Sequence, residues 1–148
     1  MATITPTLTL TSNAAGAATL PGPLSVALSL SATDALTVDT VEAATITVGT
    51  SHVTLFDGST KDIGSEVAGT NGGFIYFKNV SAADHDVYIG VEAHGDAATA
   101  LEGNADAQRL FTLKQDEFAF FPYDYNMDIT VDGENAASAL EYFLFNRG

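Results

Sequence analysis

The sequence predicts an all-β protein: a β-sandwich or jelly-roll-like single domain with an extended N-terminal segment. Three observations predict it. Residues 123–132 alternate without error, with Tyr123, Tyr125, Met127, Ile129 and Val131 at odd positions and Asp124, Asn126, Asp128, Thr130 and Asp132 at even ones. Successive side chains of a strand point to opposite faces, so this pattern describes a strand with one dry face and one acidic, wet face. A helix would scatter the same apolar residues around its circumference. Second, short period-two runs punctuated by turn signals recur along the chain, enough for about eight to ten strands of a sandwich or jelly roll. Third, 148 residues with 46% hydrophobic and 16% charged side chains can bury one real core and are too apolar for an acidic disordered chain.

In chain order, Ile4, Leu8 and Leu10 alternate with threonines, and β-branched Thr suits the exposed face of a pleat. Pro6 inside this run marks an edge strand or an extended arm. Residues 13–23, rich in Ala and Gly, read as a loop or linker, which sets off residues 1–23 as an arm or edge strand before a sandwich domain over 24–148. Leu24, Val26, Leu28 and Leu30 alternate with small polar residues and read as a strand. Residues 33–44 fit neither period. Residues 45–56 read as a strand or bent strand pair kinked at Gly49, with Asp57-Gly58 a turn and the polar stretch to Gly73 a long loop or weak strand.

Residues 73–80 and 85–92 each read as a strand, and the turn at 81–84 makes the pair a hairpin. Residues 95–106 are loop-like. Residues 110–113 and 118–121 are strands around Gln115-Asp116-Glu117, and the alternating run follows, closed by a turn at Asp132-Gly133. The last element, 138–145, also fits a helix face through Ala136, Leu140, Phe143 and Leu144, with Asn135 as its cap. Apolar and aromatic residues on both faces over so short a length favour a strand covered on both sides.

Composition bounds the function. Nineteen acidic against five basic residues give a formal charge of −14. Nucleic-acid binding needs Lys and Arg to replace counterions, and Lys61, Lys78, Arg109, Lys114 and Arg147 are few and scattered. Anionic membranes are disfavoured for the same reason, whereas a basic protein surface would attract the chain. The first six residues have no basic start and no apolar run, which reads against a secretory signal, and no segment approaches the ~20 apolar residues of a membrane helix. Cysteine is absent, so no disulfide or thiolate site exists.

Candidate chemistry is sparse. Asp124, Asn126 and Asp128 copy the first three ligand positions of a calcium loop, but Ile129 stands where the sharp turn needs Gly and Asn135 where a bidentate Glu belongs. These are weak metal candidates, and a solvated strand face accounts for them equally. Glu92, His94 and Asp96 could share a strand face and His85 lies between Asp84 and Asp86, yet neither arrangement has a recognised metal spacing. No nucleophile elbow or phosphate loop is present, so neither an enzyme nor a cofactor is expected. Phe118, Phe120, Phe121, Tyr123, Tyr125, Tyr142, Phe143 and Phe145 form an aromatic cluster whose default role is to fill the core, with a sugar-stacking platform as the alternative.

One resemblance covers about half the chain, residues 73–147. It is carried by Phe74-Ile75-Tyr76-Phe77-Lys78-Asn79-Val80-Ser81, Val87-Tyr88-Ile89-Gly90-Val91, Arg109-Leu110-Phe111-Thr112-Leu113-Lys114, Glu117-Phe118-Ala119-Phe120-Phe121-Pro122 and Leu140-Glu141-Tyr142-Phe143-Leu144-Phe145-Asn146-Arg147. The stretch resembles small virion structural proteins of tailed bacteriophages, particularly marine and cyanobacterial ones. The Lys-Pro-Gly-Glu turn usual before the aromatic run is here Lys114-Gln115-Asp116-Glu117. The resemblance implies a capsid decoration or cement subunit, or a tail or neck component. It also implies a soluble homo-oligomer, a trimer by preference, that joins a major capsid protein or other virion proteins on the shell exterior. Ile4, Pro6, Leu8 and Leu10 are the expected interface, because the segment before Asp34 is uncharged and an unpaired strand there is a template for a neighbour. A carbohydrate-binding or adhesion module is the alternative, and a jelly-roll enzyme a third reading.

Overall fold

The computed structural model describes residues 2–4, 7–11, 25–29, 36–56, 73–93, 109–123 and 127–147. These residues form eleven strands and, among them, no helix. In order they are β1 (Ala2–Ile4), β2 (Thr7–Thr11), β3 (Ser25–Ser29), β4 (Leu36–Val48), β5 (Val53–Phe56), β6 (Gly73–Asn79), β7 (Val87–Ala93), β8 (Arg109–Leu113), β9 (Phe118–Tyr123), β10 (Met127–Gly133) and β11 (Ser138–Arg147). The chain divides into two compact units, Met1–Val38 and Asp39–Gly148.

In the first unit β2 pairs antiparallel with β3, Leu8 opposite Leu28 and Leu10 opposite Val26. β1 pairs with the first residues of β4, Ile4 opposite Leu36. Of the expected interface residues, Ile4, Leu8 and Leu10 thus stand in strands already paired within their own chain, and Pro6 lies outside the described residues.

The second unit is a β-sandwich, two antiparallel sheets packed face to face. One sheet runs β4-β11-β6-β9 and the other β5-β10-β7-β8. Their facing sides bury Phe56, Ile75, Phe77, Val87, Ile89, Ile129, Val131, Leu140 and Leu144. At roughly 1.5–3 kcal/mol per fully buried large apolar side chain, this core is the main force holding the sheets together. Residues 138–147 form a strand, and Asn135 caps a turn rather than a helix: its Oδ1 accepts from the Ala137 amide at 3.0 Å. Gly49 does interrupt the 45–56 run, since β4 ends at Val48 and β5 starts at Val53. The ambiguous 33–44 region holds the start of β4, a strand of 13 residues.

Two expectations are corrected. Residues 73–79 and 87–93 are strands but not a hairpin, because β6 lies between β11 and β9 in one sheet while β7 lies between β10 and β8 in the other. The 81–86 connection therefore crosses the sandwich. The closing turn also falls later than Asp132-Gly133, since β10 runs through Gly133 and the turn occupies 134–137.

One buried residue ties the crossing together. Asn79 ends β6, and its Nδ2 donates to the His85 carbonyl at 2.7 Å and to the Leu113 carbonyl at 2.8 Å. Its Oδ1 accepts from the Ser81 amide at 3.0 Å, and Ser81 Oγ accepts from the Ala139 amide at 2.9 Å. The turn from β8 to β9 closes beside it: the Glu117 amide donates to the Lys114 carbonyl at 2.9 Å, and the Asp116 amide donates to the Asn79 carbonyl at 3.0 Å. Asp116 holds φ 64°, the left-handed conformation that Gly adopts without strain. The Lys114–Glu117 segment thus closes as a hydrogen-bonded four-residue turn with Asp standing at the glycine position.

Candidate functional site

Strand alternation divides the aromatic residues of the second unit into two sets. Phe121, Tyr123 and Tyr142 point inward and pack with Phe56, Phe77 and Phe111, for example Phe56 against Tyr142 edge-on at 5.1 Å. The expectation that the whole cluster fills the core fails for the other set. Phe118, Phe120, Phe143 and Phe145 point outward, joined by Phe74 and Tyr76 of β6. Tyr125 lies outside the described residues.

The outward set is built by register. β6 sits between β11 and β9, with Phe74 opposite both Phe145 and Pro122 and Tyr76 opposite both Phe143 and Phe120. Each ring therefore has cross-strand neighbours, the unit of stabilisation on a sheet face. Phe74 stacks on Phe120 at 5.4 Å, Tyr76 on Phe118 at 6.0 Å, and Phe143 on Phe145 at 6.1 Å. Edge contacts of Tyr76 with Phe143 at 5.7 Å and Phe120 with Phe145 at 6.3 Å join the pairs into one patch. Phe118 is 57% exposed and Phe120 38% exposed, while the other four rings are half-buried. β9 is the edge strand, and Pro122 fits there because an edge strand needs fewer ladder donors.

Charged side chains accompany the rings. Lys78 on β6 stands opposite Glu141 on β11, and its Nζ lies 3.9 Å from Asp116 Oδ1 at the β8–β9 turn. The Tyr76 phenol is held above its ordinary value, first by burial and second by the Glu141 charge. An open groove of about 540 Å³ adjoins the patch at the β8–β9 turn, with Phe111, Phe118, Asp116 and Glu117 among the residues that line it.

The opposite sheet corrects a second expectation. β10 does alternate, and Ile129 and Val131 are buried in the core, but the even face is not wet. Asp128, Thr130 and Asp132 are all buried, as is Glu92, opposite Asp128 on β7. β10 lies between β5 and β7 in its sheet. His52 Nε2 lies 3.2 Å from Glu92 Oε1, a contact that crosses β10. Thr130 Oγ1 and both carboxylate oxygens of Asp132 are buried without a hydrogen-bond partner. Arg109 stacks over the Tyr88 ring at 4.1 Å.

Of the weak metal candidates only Asp128 is described; Asp124, Asn126, His94 and Asp96 lie outside the described residues. Among the described residues no group of three or more His, Asp or Glu is placed to hold a metal ion, and no helix is long and apolar enough to cross a membrane. Outward placement of the rings was legible in part, since Phe118 and Phe120 share a parity opposite to that of Tyr123. What could not be read was which parity faces the second sheet. Comparison with protein-family models, curated proteins and solved structures finds no match to this chain.

Proposed function

We propose that the protein is a non-enzymatic assembly subunit, a capsid-decoration type of virion structural protein, and that the aromatic face of the β4-β11-β6-β9 sheet is its protein-docking surface. The observation that carries the reading is that face: six contiguous rings on one sheet, two of them exposed to solvent. Scattered apolar side chains on a surface need no explanation, but a contiguous patch of this kind marks an interaction site. Aromatic side chains supply large contact area at low entropic cost, which is why they dominate the centres of interfaces. The formal charge of −14 suits a subunit on a shell exterior, away from packaged nucleic acid. The resemblance of residues 73–147 to small phage virion proteins points the same way, and the major capsid protein is the partner it implies.

The exposed Phe118 and Phe120 rings also favour a second reading, a sugar-binding module. Sugar sites normally add hydrogen-bonding side chains around the rings, and this face supplies Tyr76, Lys78 and Glu141. The test is occupancy. Purified particles of the tailed phage carrying this gene should contain the chain in many copies on the shell exterior. Particles that lack it, together with glycan binding lost in Phe118→Ser, would support the module instead.

A further inference from the structure

We infer that His52 and Glu92, on the face of the β5-β10-β7-β8 sheet away from the core, ligate a divalent transition-metal ion of the zinc class, and that Asp128 supports it by charge. The inference is independent of the assembly reading. It rests on three observations.

The first is an orphaned imidazole. His52 lies between β4 and β5, and its side chain is only 5% exposed. Neither of its ring nitrogens has a hydrogen-bond partner. Buried polar side chains are nearly always satisfied, so an exception needs a cause, and a bound ion is one.

The second is distance and direction. His52 Nε2 lies 3.2 Å from Glu92 Oε1, and the Glu92 side chain is buried as well. A hydrogen-bonded ion pair would aim an N–H at the oxygen, and Nε2 makes no such bond. Two ligands of one tetrahedral ion behave differently. With zinc ~2.0–2.1 Å from each, the nitrogen and the oxygen stand about 3.3 Å apart and neither points at the other. The His52–Glu92 contact fits that arrangement.

The third is charge. Asp128 on β10 stands directly opposite Glu92 on β7, and both are buried. Carboxylates placed opposite each other on neighbouring strands repel, and a divalent cation beside them offsets the repulsion. Among the described residues no group of three His, Asp or Glu is placed to ligate together. Asp128 therefore acts on the ion through its charge, and solvent completes the coordination. The donor set selects the metal: calcium and magnesium take oxygen ligands, whereas an imidazole nitrogen suits zinc and its first-row neighbours. The bound ion ties the segment before β5 to β7 across β10, the strand between them.

The experiment is calorimetric titration of the chelator-treated full-length chain with zinc chloride, and with calcium chloride for comparison. One zinc per chain is expected, and much weaker binding of calcium. Asp128→Asn should weaken zinc binding roughly tenfold, as loss of a supporting group around a metal does. His52→Gln and Glu92→Gln should each weaken it further. The other two histidines are controls: His85→Gln and His94→Gln should bind zinc as the parent does. X-ray absorption of the zinc-loaded parent needs no variant. It should show a single imidazole in a shell of nitrogen and oxygen ligands at ~2.0–2.1 Å.

A parent that binds no zinc, or binds calcium as tightly, would overturn the inference. So would a zinc site that survives His52→Gln, that is lost in His94→Gln or His85→Gln, or that contains two or more imidazoles. Should His52→Gln fail to fold, the absorption spectrum and the two controls decide: one imidazole, with both controls still binding, leaves His52 as its source.

Discussion

Asn79 links the two sheets through its side chain. It is fully buried, and its side chain satisfies the His85 and Leu113 carbonyls and the Ser81 amide. Asn79→Ala should destabilise the protein by about 3 kcal/mol or more, because three bonds vanish and buried partners are left unpaired. Urea unfolding measures this. Thr130 is the opposite case: its hydroxyl is fully buried with no partner, and Val has nearly the same shape. Thr130→Val should raise stability by about 1 kcal/mol in the same assay. Neither role was legible in the sequence. Asn79 bonds across 34 residues to Leu113, and no local pattern carries that distance. Thr130 sat in a run whose strict alternation is identical whether its polar face meets water or protein.

Strands were far more legible than their pairing. Residues 87–93 and 127–133 are strands whose apolar residues alternate, and 73–79 and 138–147 are strands dense in aromatic and other apolar residues on both faces over a short length. The hairpin reading of 73–79 and 87–93 failed because a short polar connection looks the same whether it returns the chain to its own sheet or carries it to the facing one. The β10–β11 turn shows how tight such a crossing is. A Cβ on Gly133 would stand 2.8 Å from the Val48 carbonyl oxygen and 2.8 Å from Ser138 Cβ. Backbone cannot yield as a side-chain tip can, so Gly133→Ala should cost about 1–3 kcal/mol, read as a lowered thermal midpoint.

Two tyrosines bear on stability at high pH. Tyr142 donates to Glu42 Oε1 at 3.0 Å, and burial first, then that bond and the Glu42 charge, hold its phenol above the ordinary tyrosine value. Tyr76 is raised as well, by burial and then by Glu141. A raised folded value means that the neutral phenols stabilise the fold fully below about pH 10, the unfolded tyrosine value. That contribution is lost as pH climbs through the higher folded values. Thermal midpoints should therefore fall above about pH 10, and Tyr76→Phe should make the fall shallower.

On the scale of the whole molecule, the chain is an acidic sandwich with an aromatic sheet face, joined to an N-terminal unit whose first 33 residues carry no charged side chain. Fold class was legible because period-two patterning reports strands directly. The aromatic face was only half legible, since parity separates two sets of rings without saying which set the second sheet covers. The account stands or falls on what that face does on a particle. The most direct measurement is cryo-electron microscopy of shells incubated with the parent chain or with Phe118→Ser/Phe120→Ser, both confirmed as folded by their thermal midpoints. The parent should appear as ordered density on the shell exterior, and the double variant should be absent or sparse at the same concentration. A double variant that decorates shells at full occupancy would contradict the assignment of the aromatic face as the docking surface.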